Sequence, residues 1–175
     1  MPTLTFETQD DDEEVVLLLR AHFITNLPWI LITLIFSLIP PLLAVTGGLS
    51  LLQSQIGLNP TTIYSLLLIW YLFLFAYAFQ NFLLWYFNVY LVTNENVVDM
   101  DFFQLLYRKI ASAELSKIED VTASMGGVAQ SLFNYGNIQI QTAGAVVEFV
   151  FERVPNPAYV QKVIEETVEK ARHES

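Results

Sequence analysis

The side chains most often used in catalysis are few and scattered in this sequence. Its two histidines, His22 and His173, stand near opposite ends of the chain. Each is expected to be solvated or interfacial rather than catalytic. The chain has no cysteine, which excludes thiolate metal ligands, cysteine nucleophiles and disulfides. It contains no His-Glu-x-x-His zinc motif, no phosphate-binding glycine loop and no Gly-x-Ser-x-Gly elbow.

Two groups of carboxylates have a residue type suited to acid–base chemistry or cation binding. The acidic run from Asp10 to Glu14 lacks the glycine and the spaced ligands of a calcium loop, so it is interpreted as a solvated tail. Glu119 and Asp120 are neighbours in a predicted strand, where adjacent side chains point to opposite faces. They are therefore not expected to form a catalytic dyad. The sequence predicts a chain that is not an enzyme and that has no metal site and no cofactor.

Three cations, Arg108, Lys109 and Lys117, form a local basic cluster that follows a long apolar region. One hypothesis is that they contact lipid headgroups, at ~1 kcal/mol per cation near an anionic surface. The other is that they only mark the cytoplasmic side of a membrane. Both interpretations stay open at this point. The formal net charge of the whole chain is −10, and such an acidic chain repels phosphate backbones, so nucleic acid is excluded as a partner.

A long uncharged segment of the chain has the length and composition of membrane-spanning helices. No Asp, Glu, Lys or Arg occurs from Ala21 to Asn94, and charged residues make up only 15% of the chain, against about 25% in soluble domains. About 20 apolar residues in a helix cross a bilayer whose hydrocarbon layer is about 30 Å thick. Residues 27–48 and 61–86 meet that length, with a short, turn-like connection expected at roughly 48–62. The chain is thus divided into a tail and juxtamembrane segment at 1–24, a two-helix transmembrane hairpin at 25–87, and a domain at 88–175.

The positions of the cations predict the orientation of this hairpin. The connection between the two helices has no cation, whereas Arg20 precedes the first helix and Arg108 and Lys109 follow the second. The positive-inside rule then places both termini in the cytoplasm of a multi-pass protein of the plasma membrane. Amphipathic rings near helix ends anchor a helix in the interfacial layer. The residues predicted to do so are Trp29, Trp85 and Tyr86.

After Asn88 the pattern changes to β-branched and alternating residues. It predicts about six short antiparallel strands and then one helix at 157–172, which starts with Asn156 as N-cap and Pro157 in the first turn. The apolar segment Val15 to Leu19 has two interpretations. It either adds a strand to the edge of the domain or extends the first membrane helix inward.

An ordered set of motifs in this region resembles the bacterial pleckstrin-homology (PH) domain of the YdbS-like membrane proteins. The resemblance covers residues 88–172, and the preceding pair of helices also fits that family's layout. It implies an α+β membrane protein, with a transmembrane hairpin followed by a PH-like antiparallel β-sandwich or barrel closed by one C-terminal α-helix. The motifs are Tyr90-Leu91-Val92-Thr93-Asn94-Glu95, Ile118-Glu119-Asp120-Val121, Leu132-Phe133-Asn134-Tyr135-Gly136, Ile140-Gln141-Thr142-Ala143-Gly144 and Phe151-Glu152-Arg153-Val154-Pro155-Asn156-Pro157.

One departure from the wider PH superfamily limits what the resemblance implies. Phosphoinositide-binding members place several Lys and Arg residues on the first two strands, but Asn88 to Phe103 contains none. A polyphosphate headgroup needs charge-assisted donors. Phosphoinositide binding is therefore not carried over to this chain.

The leading functional hypothesis is a non-catalytic, membrane-anchored cytoplasmic domain that acts as a protein-interaction or scaffolding module. Its expected partners are membrane lipids around the helices and either a second copy or another membrane protein. Self-association is implied by the resemblance, because some bacterial PH-like domains form homo-oligomers. The alternative is that the domain binds a lipid headgroup or a small ligand at the inner membrane surface.

Overall fold

The structure, a computed structural model, describes residues 13–103, 107–143 and 148–174. The side chains of residues 101–110, 148 and 174 lie outside the described part, as does most of the acidic run from Asp10 to Glu14. The chain forms two compact units. Residues 26–83 form the helical unit, and the described residues before and after them form the β domain.

The helical unit is built from apolar helices because its sequence carries no charged side chain. Two helical stretches are long and apolar enough to cross a membrane, Phe23–Val45 with 23 residues and Pro60–Phe87 with 28 residues. Their side chains are mostly exposed, as shown by Leu42 at 63% and Phe73 at 73%. The helices of the unit are α1 (Leu27–Val45), α2 (Gly48–Ile56) and α3 (Pro60–Phe87), of which the last ends in the β domain.

The connection between the two long helices differs from the sequence prediction. A turn-like connection was expected there, but the segment contains the nine-residue helix α2. Gly47 and Gly57 bound it with left-handed φ angles of 78° and 72°, which glycine adopts without steric cost. Two glycines thus separate a short helix from its long neighbours.

The prolines of α1 lie inside a continuous helix that runs to Val45. Pro40 is buried, whereas Pro41 is exposed. With Ile63 and Trp70, Pro40 lines an apolar cavity of ≈ 190 Å³ within the helical unit. Pro40 therefore contributes to the packing between the helices of this unit.

The β domain has two antiparallel sheets and a C-terminal helix, which confirms the α+β class predicted from the sequence. The first sheet has the order β1-β2-β3-β4 and the second the order β5-β6-β7. The described residues after position 88 contain six strands, which agrees with the number predicted there, and the segment before the helical unit supplies a seventh, β1. The strands are β1 (Val15–Leu19), β2 (Val89–Thr93), β3 (Asn96–Phe103), β4 (Tyr107–Glu114), β5 (Ile118–Ser124), β6 (Tyr135–Thr142) and β7 (Glu148–Pro155). The helices are α4 (Val128–Phe133), between β5 and β6, and α5 (Pro157–Glu174).

Alternation along the strands explains the core of this domain. On β6, Ile138 and Ile140 are buried while Gln139 is exposed, as expected for a strand with one wet face. The Tyr90 and Phe151 rings stack with centroids 4.5 Å apart. Helix α5 covers the open side of the second sheet with an apolar face that belongs to the same core. The α5 residues on that face are Val160, Ile164 and Val168.

The open question about Val15 to Leu19 is answered by strand pairing. This segment pairs antiparallel with β2, from Val15 opposite Thr93 to Leu19 opposite Tyr90. Just before it, the buried Glu13 carboxylate accepts hydrogen bonds from Thr93 Oγ1 at 2.5 Å and Asn96 Nδ2 at 3.0 Å. The helical unit is therefore inserted in sequence between the first two strands of one sheet.

Candidate functional site

The entry end of the β domain is the end at which the chain leaves after Thr25 and returns at Leu84. Here the indole Nε1 of Trp85 donates a hydrogen bond to the carbonyl of Ala21 at 2.8 Å. The Phe23 ring meets Trp85 edge-on, with centroids 6.0 Å apart. The Arg20 guanidinium lies 4.5 Å from the ring centroid of Tyr86, a cation–π contact. The outgoing and returning chains are thus fixed to each other inside the β domain.

These contacts show where the predicted interfacial aromatic residues lie. Trp85 and Tyr86 both belong to the entry end of the β domain. Trp29 lies in the helical unit, where its Nε1 donates to Asn26 Oδ1 at 3.1 Å. Their role in a membrane interface stays a prediction.

His22 has a structural role at the entry end. Its backbone N–H donates to the carbonyl of Arg153 at 2.7 Å, and its ring stacks on Tyr135 with centroids 5.6 Å apart. Its Nδ1 accepts a hydrogen bond from the backbone of Ile24 at 3.1 Å. His22 therefore ties the second sheet to the chain that leads into the first apolar helix. His173 is exposed near the end of α5.

The three cations of the predicted headgroup cluster are not all brought together. Lys117 lies in a short 3-10 turn beyond the end of β4 and forms an exposed ion pair with Glu114 at 3.0 Å. Arg108 and Lys109 lie near the start of β4. A strand of 8 residues is about 25 Å long at about 3.3 Å per residue. The side chains of Arg108 and Lys109 lie outside the described residues, so their headgroup contact stays a prediction.

The carboxylates of β5 lie on an irregular strand. Glu119 and Asp120 are both exposed, and the pairing register shifts between Ile118 and Asp120, so the simple alternation expected there is interrupted. Asp120 Oδ2 accepts a hydrogen bond from Thr122 Oγ1 at 2.9 Å. Within residues 13–103, 107–143 and 148–174, no three His, Cys, Asp or Glu side chains are grouped closely enough to hold a metal ion.

Helix α5 covers the outer edge of β5. Gln161 Nε2 donates to the carbonyl of Val121 at 2.9 Å, and the Arg172 guanidinium donates to the carbonyl of Ile118. The groove between the two elements measures ≈ 460 Å³ and has carboxylates on its rim, among them Glu119 and Glu165. Side chains of α5 thus occupy backbone acceptors that an added strand would need.

Among the described strands, four lie at the end of a sheet, and three of these carry a register irregularity. The irregularity falls between Val15 and Leu17 on β1, between Ile118 and Asp120 on β5, and opposite Gly136 and Ile138 on β7. Bulges of this kind protect edge strands from pairing with other chains. β4 differs, because it pairs with β3 without interruption over its whole length. β4 is therefore the regular edge among the described strands.

The direction of the backbone groups on β4 follows from one hydrogen bond. The Leu115 N–H donates to the carbonyl of Glu95 at 2.8 Å, which continues the β3–β4 register. Because hydrogen-bonded and non-hydrogen-bonded residue pairs alternate in an antiparallel ladder, the backbone N–H and C=O of Ala113 also face β3. Ser112 then directs its N–H and C=O away from the sheet. This edge was not predicted from the sequence, because the position of a strand within a sheet depends on the strand order.

Comparison with known proteins assigns no family. No protein-family model matches the chain, and no curated protein matches it. One solved structure is similar. It is described as a DUF1696 family protein with a pleckstrin-homology domain from Shewanella loihica PV-4, and it matches with 14% sequence identity and a TM-score of 0.38 over 46% of this chain and 70% of that one. Membership of the YdbS-like family stays a prediction.

Proposed function

We propose that this chain is a membrane-anchored, non-catalytic, PH-like interaction module whose β4 edge accepts a strand from a protein partner. The observation that carries the proposal is the regular register of β4, which lies at the end of its sheet and pairs with β3 without interruption. The two apolar helices anchor the domain, and the cations flanking them favour the cytoplasmic side. Headgroup binding by the basic cluster is less favoured, because Lys117 lies beyond the opposite end of β4 from Arg108.

Strand addition uses backbone groups that already point outward. The backbone N–H and C=O groups of Ile110, Ser112 and Glu114 all point away from β3. Each of these residues therefore offers one donor and one acceptor to an added strand. A hydrogen bond of this kind contributes about 0.5–1.5 kcal/mol net. Several such bonds are enough for association when both chains are confined to one membrane, since tethering raises their effective concentration.

A second copy of the chain is the simplest partner. Two β4 strands can pair antiparallel about a centre at Ala111. In this register Ile110 of one copy lies opposite Ser112 of the other, and the backbone groups of both residues point toward the new partner strand. The same register places Arg108 of one copy opposite Glu114 of the other. Opposite charges that face each other across strands are favourable. The sequence of β4 is thus self-complementary in this register.

Ser112→Pro is expected to weaken association of the full-length chain by about tenfold or more, which corresponds to about 1.4 kcal/mol. Proline removes the outward N–H of Ser112 but leaves the β3 ladder intact, because that N–H does not bond β3. The matched control is Ser112→Ala, which keeps the N–H. Association is measured by energy transfer between labelled copies in vesicles at a series of protein-to-lipid ratios.

One outcome of this experiment would contradict the proposal. If Ser112→Pro and Ser112→Ala associate equally well, the β4 edge is not the contact. A charge test supports the register in the same assay. Arg108→Glu alone is expected to weaken association, and mixing it with Glu114→Arg copies is expected to restore it.

A further inference from the structure

Helix α4 and the segment just before it expose several large apolar side chains. Val128 is 85% exposed, Leu132 is 73% exposed, and Met125 and Phe133 are 49% and 43% exposed. Val128 and Leu132 are four residues apart, so they share one face of the helix. Clustered exposed apolar side chains of this kind mark an interaction surface. We call Val128 and Leu132, together with the exposed Met125 before the helix and Phe133 at its end, the α4 apolar face.

The polar side chains of this segment are turned back onto its own backbone. Ser131 Oγ donates to the carbonyl of Gly127 at 3.2 Å, and the Gln130 side chain accepts the N–H of Gly126. No charged residue occurs from Val121 to Val147. The outer surface of α4 therefore has an apolar character and no ionic group to keep it in water.

The location of α4 decides what covers this face. Tyr135, two residues after α4, stacks on His22, and His22 directly precedes the apolar stretch Phe23–Val45. Phe23 in turn contacts Trp85, near the end of the second apolar stretch. α4 therefore lies at the entry end of the β domain, where the chain passes into and out of its two apolar helices.

We propose that the α4 apolar face inserts into the interfacial layer of the same bilayer that the helices cross. It gives the β domain a contact with lipid that needs no charge, since an apolar face lies about 5–10 Å into the headgroup boundary. This contact adds to the two chain connections and fixes the orientation of the domain, so that a defined surface faces the cytoplasm. The inference rests on the membrane attachment proposed above, but not on the β4 edge.

The absence of native cysteine allows single labelled positions in the full-length chain. Leu132→Cys reports on α4. Ser116→Cys, an exposed site in the turn after β4, is the water-facing control, and Leu72→Cys, 64% exposed in α3, is the lipid-facing control. Each variant carries an environment-sensitive nitrobenzoxadiazole label in phosphatidylcholine vesicles without anionic lipid. Quenching is then measured with phospholipid spin-labelled near the headgroup for Leu132→Cys and Ser116→Cys, and with phospholipid spin-labelled at mid-chain for Leu72→Cys, which lies near the middle of α3.

Insertion at the depth of about 5–10 Å typical of interfacial helices is expected to make quenching at Leu132→Cys about threefold stronger than at Ser116→Cys. Quenching at Leu72→Cys but not at Leu132→Cys overturns the inference alone. An emission shift at Leu132→Cys that is unquenched and disappears on dilution overturns it in favour of a second copy as the cover. Absence of quenching at Leu72→Cys overturns it together with the membrane attachment.

Discussion

Phe151→Ala is expected to destabilise the β domain by about 3–5 kcal/mol, the usual cost of emptying a buried aromatic site. The Phe151 side chain is fully buried and its ring stacks on Tyr90. These two residues belong to different sheets, so the pair holds the sheets together. The Tyr90 hydroxyl also accepts the backbone N–H of Glu152 at 3.2 Å, which the cavity beside it would loosen.

The measurement is pulse proteolysis in urea of the full-length chain in nanodiscs. Tyr159→Ala is the matched control, because Tyr159 is 57% exposed and its removal should change the free energy of unfolding by no more than about 0.5 kcal/mol. Phe151→Leu is expected to fall between the two, since it keeps part of the buried volume. Equal stability of Phe151→Ala and Tyr159→Ala would mean that the two sheets do not share this core.

Gly136→Ala is expected to lower the free energy of unfolding of the β domain by about 1–3 kcal/mol through overpacking. A Cβ at this buried position would lie 2.8 Å from the Met125 side chain and 3.1 Å from Pro157, and closer still to the carbonyl oxygen of Ser124. The backbone of β5 cannot move away without breaking its pairing with β6. The same proteolysis assay measures the effect.

Gly126→Ala is the matched control for this substitution. A Cβ there would meet only the Gln130 side chain, at 3.9 Å, so the free energy of unfolding should stay within about 0.5 kcal/mol of the parent. Gly136 supports the segment that leads into α4, so its substitution also tests the platform of the α4 apolar face. If the two glycine variants are equally stable, the close approach of β5 and β6 at Gly136 is wrong.

The helices and the class of fold could be predicted because their signals are local. The uncharged run from Ala21 to Asn94 predicts apolar helices without any knowledge of what they pack against. Pro157 after Asn156 marks the start of α5. Helix α2 was missed because its polar residues, such as Gln53 and Gln55, have the composition of a loop. The glycines on both sides of it were the available signal.

The role of Val15–Leu19 could not be settled from the sequence. Its partner strand begins at Val89, beyond the whole helical unit, and a uniformly apolar segment shows no alternation that favours a strand over a helix. Only the register with β2 decides between them. A strand that pairs across an inserted unit is a long-range feature, and single-sequence patterns report short-range ones.

The candidate surfaces were even less accessible to sequence reasoning. The β4 edge stands out only by comparison with the other edges, which have bulges and, at β5, side chains of α5 that cover the strand. Such comparisons need the register of each strand. The exposure of Leu132 and the stacking of the nearby Tyr135 on His22 appear only in three dimensions.

Cysteine labelling in sealed, right-side-out membrane vesicles tests directly whether two apolar helices anchor the β domain on the cytoplasmic side of a membrane. The variants are Gln55→Cys and Ser116→Cys, and the label is a membrane-impermeant maleimide. We expect Gln55→Cys to be labelled in sealed vesicles and Ser116→Cys to be labelled only after detergent opens them. Labelling of both positions in sealed vesicles, or release of the chain by alkaline carbonate without detergent, would contradict it.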